Sequence, residues 1–578
     1  MSARRLIGGV VSASLLAFCA LPIHAQTVPA SPADIAQEGL RRQEERAREQ
    51  QQHLKPDADL LQPARPTTIS DKLPEESPCF PIQGVELTGP DATRFAWLAD
   101  AALPYLRQCA GAAGLRQIAS ALDARLIEQG YVTSRVSLPQ QNLKEGILTI
   151  RLHVGRIAGI SLNQAANPKA PDDSWGTWRN AFPVSGGDIL NVRDLEQGVE
   201  QMKRLPSQAV ATELEPGEEP DTSRLRILRQ PGSLRERFRG GVTLDNAGTP
   251  ALGRPQLSSY ASLDNPLGLN DILSLSASSN LERLRTDHRS QNLSLQYSIP
   301  WGYNTFTLGR SHSRFAQIVQ GTTARFLSSG SSDNTDLRWH RILLRTSSAK
   351  SGLYASLGTR RASSFLDDVE LVVQRRRTTT LETGLTHKQL LGDASIDLEL
   401  GYRRGVSWRG AQDDLPTAAE GGLTVRPTIT VASAGLSLPF TLAGRPMLHT
   451  TALRVQHTRD LTLSVDQFAI GSQYSVRGFD GEAVLLAESG YTLRNEWSTP
   501  LRLADGLDSV AFAAVDVGRV WGTNTANLVG DRLAGAAFGV RGRWQQLQFD
   551  AALGTPLYRP QGFKSRRFNP YLAITWAF

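Results

Sequence analysis

Apolar and polar positions alternate with period two through the second half of the chain. Phe238, Gly240, Val242 and Leu244 alternate with Arg239, Gly241, Thr243 and Asp245. Leu293, Leu295, Tyr297 and Ile299 alternate with Ser294, Gln296 and Ser298, and Leu547, Phe549, Ala551 and Leu553 with Gln548, Asp550 and Ala552. Successive side chains of a strand face opposite sides, so this spacing predicts half-buried strands. Clusters of Gly, Asn, Asp and Ser between the runs supply turns. The pattern continues through Leu572, Ile574, Trp576 and Phe578, where a soluble domain would end in a frayed polar tail. With ~9–11 residues per spanning strand and about ten per connection, residues 231–578 provide roughly sixteen to eighteen strands. A soluble sheet of that size would split into two domains, and no linker is visible. The expectation is a transmembrane β-barrel.

The spacing differs in residues 78–230. A strand is predicted at 80–87, helical segments at 95–106 and 115–127, and strands at 132–138 and 147–154. The order recurs as a strand at 157–162, helical segments at 175–182 and 192–204, and strands at 209–214 and 225–228. This reads as two tandem β-α-α-β-β modules, 78–155 and 156–230. Ahead of them, 54–77 is Pro-rich and reads as a linker. Residues 26–53 are rich in Glu, Arg and Gln over 33–53, which favours a helix polar all round.

The N-terminus changes the compartment. Arg4 and Arg5, the apolar run 6–21 and the small residue Ala25 read as a signal peptide over 1–25, with cleavage expected after Ala25. Of three cysteines, Cys79 and Cys109 remain after cleavage. In an oxidising compartment an isolated pair reads as a disulfide, the alternative being two buried thiols. The mean hydropathy of −0.27 looks soluble, as does that of any barrel whose strands each turn one face to water. A net charge of +7 over 578 residues does not suggest a nucleic-acid partner. No GxSxG elbow, HExxH, P-loop or zinc spacing occurs, so neither an enzyme nor a cofactor site is expected.

An exported polar helix, a linker, two such modules and a barrel together resemble the outer-membrane transporters of two-partner secretion, of the haemolysin-activator (ShlB/FhaC/HecB) type in the Omp85 superfamily. Val476-Arg477-Gly478-Phe479 is similar to the VRGY/F tip of the loop that folds into the barrel lumen in that superfamily. The segments 265–271 and 297–302, and Arg494-Asn495-Glu496, are similar to family patterns. The resemblance implies POTRA modules in the periplasm, sixteen strands, a disulfide between Cys79 and Cys109, and a polar helix that plugs the pore. It also implies a large unfolded exoprotein as partner, the barrel-assembly machinery during insertion with Trp576 and Phe578 as the C-terminal signal, and outer-membrane lipid around the barrel. Other readings are an insertase of the same superfamily, against which the two modules argue, and a passive porin, which needs no modules.

The motif also has a physical reading. It lies in a loop near 464–490, between runs ending near Leu463 and beginning near Tyr491. A buried guanidinium needs an acidic partner. With Val515 and Val517 toward lipid, Asp516 faces the lumen and is the candidate; Asp480 and Glu482 are alternatives.

Overall fold

The structure, a computed structural model, describes residues 60–62, 70–249, 251–282, 287–320 and 324–578. The expected signal peptide and polar helix lie outside the described residues.

In the first module, Gly84–Thr88 runs parallel to Ile147–His153, which pairs antiparallel with Arg135–Ser137. Helix Ala112–Glu128 places Ile118, Leu122 and Leu126 on one face, four residues apart, in a core shared with Leu148, Ile150 and Leu152 of the central strand. The predicted helix at 95–106 is instead broken. A 3₁₀ turn at Ala92–Phe95, one α turn at Trp97–Asp100 and a second 3₁₀ turn at Leu103–Tyr105 replace it. Pro104 has no amide to continue an α-helical ladder. The predicted strand at 80–87 also divides. Phe80–Pro81 pairs with Cys109–Ala110, beside the Cys79–Cys109 disulfide, before Gly84–Thr88 joins the main sheet. Residues 70–77, read as linker, lie against this module: the Leu73 amide donates to Gln108 Oε1 at 2.8 Å.

The second module orders its sheet as Arg156–Gln164, Thr222–Pro231, Gln208–Pro216. Helix Val192–Lys203, capped by the Asn191 side chain, covers it. The predicted helix at 175–182 is absent. Gly176 takes φ +111, outside helical space, and the Thr177 amide donates to Gly268 of the barrel. This stretch gives up helical bonding to serve the junction.

From Phe238 onward sixteen antiparallel strands close into a barrel, with a short pair Val369–Glu370 added at one loop. Asn569–Ala577 closes on Phe238–Asp245. Phe578 and Gly240 extend that seam with two backbone hydrogen bonds of 2.9 Å. Trp576 and Phe578 are about half exposed on the outer wall, with Phe578 packed on Phe238 at 6.3 Å. Turns next to the modules are short, as at 346–348 and 443–444; connections at the far end are long, as at 407–427 and 458–488. Short turns face the periplasm and long loops the exterior.

Candidate functional site

The connection 458–488 does not extend outward. Its small hairpin, Phe468–Ile470 with Leu485–Ala487, packs inside the barrel. Ile470, Val476, Phe479 and Leu485 form an apolar cluster with Val520 and Leu533 of the wall and Phe563 of another loop. Phe479 meets Phe563 edge to face at 5.7 Å. Burial of this face holds the loop in a lumen whose walls are otherwise polar.

Arg477 lies at the loop tip. Its Nε and Nη2 donate to the two oxygens of Asp516, both at 2.7 Å, in a bidentate pair. The Arg477 backbone amide also donates to Asp516 at 2.9 Å. Nη1 donates to Glu496, which further pairs with Arg541 at 3.0 Å. Asp516 is fully buried, and Arg494 approaches it at 3.7 Å. Strands Ser489–Arg502 and Leu507–Trp521 present Glu496 and Asp516 on their lumen faces, opposite Val515 and Val517. Two acids therefore meet two or more guanidinium groups in a desolvated cluster, where removing one partner costs roughly 3–5 kcal/mol. Of the alternatives, Asp480 pairs with Arg254 at 3.1 Å, and Glu482 reaches Arg254 only at 4.0 Å.

Gly478 has φ +111, and a Cβ there would stand 2.5 Å from the Thr555 carbonyl oxygen. Its amide donates to the Tyr571 hydroxyl, which donates onward to the Phe479 carbonyl. Asn569 Nδ2 donates to the Gly478 carbonyl at 2.6 Å. Sequence reasoning missed Tyr571 and Asn569. Their signal is faint: a Tyr and an Asn at lumen positions of the last strand, where alternation alone asks only for polar residues.

A second polar cluster joins the second module to the barrel. Arg345, buried, donates to Gln197 and Glu200 at 2.9 Å, and Lys350 reaches Glu200 at 2.9 Å. Asn180 donates to the carbonyls of Leu269 and Pro300, Asn270 to that of Thr177, and Trp175 Nε1 to that of Asn265. Burial pulls the Arg204 guanidinium down to about 10, against the Asp271 charge. The two family-like segments, 265–271 and 297–302, are the barrel turns that receive the module. The Leu60 amide donates to the same Glu200, and the Gln62 amide to the Ser347 carbonyl, so 60–62 crosses this junction.

Two POTRA modules, a sixteen-stranded barrel and a loop folded into its lumen define an outer-membrane transporter with its modules in the periplasm. Comparison with known proteins agrees. A model described as haemolysin secretion/activation protein ShlB/FhaC/HecB matches residues 221–542, an ShlB-type POTRA domain 80–155 and a further POTRA domain 156–216. The chain belongs to this haemolysin secretion/activation family of two-partner secretion transporters. It is 35% identical to outer membrane transporter CdiB-2 of Burkholderia pseudomallei (strain 1026b) over 525 residues, 88% of each chain. It is 27% identical to hemolysin transporter protein HpmB of Proteus mirabilis, over 89% of this chain and 88% of that one. The structure of CdiB from Escherichia coli superposes with a TM-score of 0.80 at 27% identity, covering 96% of this chain and 100% of that one.

Proposed function

We propose that the protein captures one large, unfolded exoprotein in the periplasm and passes it through the barrel to the cell surface. The capture sites in this reading are the free sheet edges of the modules. Gly84–Thr88 and Gln208–Pro216 each have a strand partner on one side only among the described residues. An unfolded chain can add there through backbone hydrogen bonds, which ask for extended conformation rather than a fixed sequence. It then threads the polar lumen, and folding outside prevents its return. Residues 33–53 act as a removable plug, and Arg477 anchors the loop that shapes the pore. The observation that carries the reading is the loop tip held by Arg477, Asp516 and Glu496 in a barrel already joined to two modules; a passive porin needs neither.

The test is co-expression with a candidate large exoprotein, sought among the reading frames that neighbour this chain's gene. We expect the exoprotein in the medium with the wild type and at least a tenfold loss with Arg477→Glu, while the variant barrel still reaches the outer membrane. Exoprotein in the medium without this chain, or normal release by Arg477→Glu, would refute the proposal.

A further inference from the structure

The outer wall of the barrel is not uniformly apolar. The lipid face is defined by the exposed residues Phe306, Leu308, Leu337, Leu385 and Leu400, which share parity along their strands. On strands Asn304–Gln320, Arg325–Arg345, Ala349–Leu366, Arg376–Leu391 and Ala394–Val406 the same face also carries Arg310, Arg314, Arg361, Arg377 and Arg404, all exposed. Only one acid, Asp333, shares this face on the five strands. By contrast, the outward positions of Phe238–Asp245, Gln256–Asp264 and Asn569–Ala577 are uncharged, among them Leu244, Leu263 and Ile574.

Most of these charges sit toward the outer rim, although Arg341, also exposed on this face, lies near the periplasmic end of its strand. Arg404 and Arg361 lie ten and twelve residues from the periplasmic ends of their strands. At ~3.3 Å per residue and a tilt near 40°, that is about 25–30 Å above the turns, the upper edge of an apolar band ~25 Å tall. Arg310 starts lower, and its long stem can carry the guanidinium upward. The row His312, Asp333, Arg361, Arg377 is contiguous across four strands. Arg314 Nε donates to His312 Nε2 at 2.9 Å, so the imidazole proton lies on Nδ1, which donates to Asp333 at 2.9 Å. Asp333 is thereby engaged and Arg314 held in place. Arg310, Arg361 and Arg404 have no acceptor among the described residues. Uncompensated cations at the lipid boundary are costly and repel one another, so the wall calls for an external polyanion. Guanidinium groups recognise phosphate oxygens in bidentate fashion.

We propose that this patch binds the phosphorylated glycolipid of the outer leaflet: the arginines clasp its headgroup phosphates while Leu337 and Leu385, below them on the same face, receive its acyl chains.

The test uses the full chain in nonionic detergent, titrated with deep-rough lipopolysaccharide carrying its lipid A phosphates and with the dephosphorylated form, bound lipid being counted by native mass spectrometry. The wild type should prefer the phosphorylated form at least tenfold. Replacing Arg310, Arg314, Arg361 and Arg404 together by Gln should abolish that preference. Arg519→Gln with Arg532→Gln, an outward pair on another wall, should keep it within twofold. If the fourfold variant loses the heat-modifiable mobility of a folded barrel, Arg361→Gln alone should still weaken binding about threefold. No preference in the wild type, equal loss from either wall, or equal displacement by phosphatidylglycerol would overturn the proposal.

Discussion

Arg477 and Gly478 do different work at adjacent positions. The arginine supplies charge to a desolvated pair of acids, whereas the glycine supplies the absence of a side chain. Its neighbours across the gap are also glycines. A Cβ on Gly535 would stand 1.8 Å from the Arg477 carbonyl oxygen, and one on Gly554 would stand 2.9 Å from the Gly478 amide nitrogen. The tip therefore lies on a bare patch of backbone, close enough for its polar groups to reach Tyr571 and Asn569. Gly478→Ala adds both a clash and an unfavourable left-handed φ, a penalty of about 1–3 kcal/mol. The expected result is a loop that undocks more readily, read as faster protease cleavage within 468–487 from outside intact cells, with the barrel still folded. A cleavage rate equal to wild type would show that the tip tolerates a side chain. Arg477 and Asp516 could be nominated from sequence because a buried cation demands an acid and strand parity puts Asp516 inward. Glu496 belongs to a segment already singled out, but its link to Arg477 depends on which strands are neighbours.

At the scale of elements, periodicity served strands better than helices. Barrel strands are long and keep one face in lipid, so every second residue reports on orientation. The modules are small, and their first helical segments are not held by a stripe of their own. Pro104 divides one, and the other is spent on contacts with barrel turns. Helix Ala112–Glu128 is the exception, and it owes part of its start to a residue outside it. The Glu76 carboxylate accepts from the Ala113 and Gly114 amides at 2.7 Å, two donors that a helix leaves unpaired at its N-terminus. Those backbone bonds hold the Glu76 carboxyl below its ordinary range. A carboxyl depressed in the folded state stabilises above its unfolded value, near 4.3, and the contribution is lost as pH falls through the folded value. Hydrogen exchange of the first turn of this helix, corrected for intrinsic rates, should therefore rise below about pH 4. Glu76→Gln should show the faster exchange already at neutral pH and lose the acid dependence. If the two proteins exchange alike at both pH values, Glu76 does not cap the helix.

For the whole molecule, the decisive feature is the union of the second module with the barrel. Its bonds are made by arginine, asparagine and glutamine side chains, which bind turn carbonyls and acids, while Trp175 and Pro183 of the module lie against the turn glycines Gly268 and Gly302. Such a junction fixes orientation through many specific bonds between buried polar groups. Glu200 is its hub, accepting from Arg345, Lys350 and the Leu60 amide. Glu200→Ala leaves Arg345, almost wholly buried, with only part of its counter-charge, a loss of up to roughly 3–5 kcal/mol at the junction. We expect faster hydrogen exchange in 192–205 and at the barrel turn 346–348, and weaker secretion, with both modules still folded. Unchanged exchange at both places would mean that the remaining bonds suffice.

The sequence by itself determined the architecture. Period-two alternation marked the barrel, its length set the approximate strand number, and the recurrence of element order marked two modules. Each follows from local geometry, because a strand in lipid or on a core must repeat every second residue. Only the tertiary structure decided that 458–488 turns inward, that Asp516 and Glu496 share one guanidinium, and that the turns 265–271 and 297–302 receive the second module. Those contacts join residues far apart in sequence through a closed sheet. Their partners are polar side chains at positions where the pattern requires only that they not be apolar. The basic outer wall has the same origin. Its arginines are scattered through five strands and become a patch only when cross-strand register brings them together.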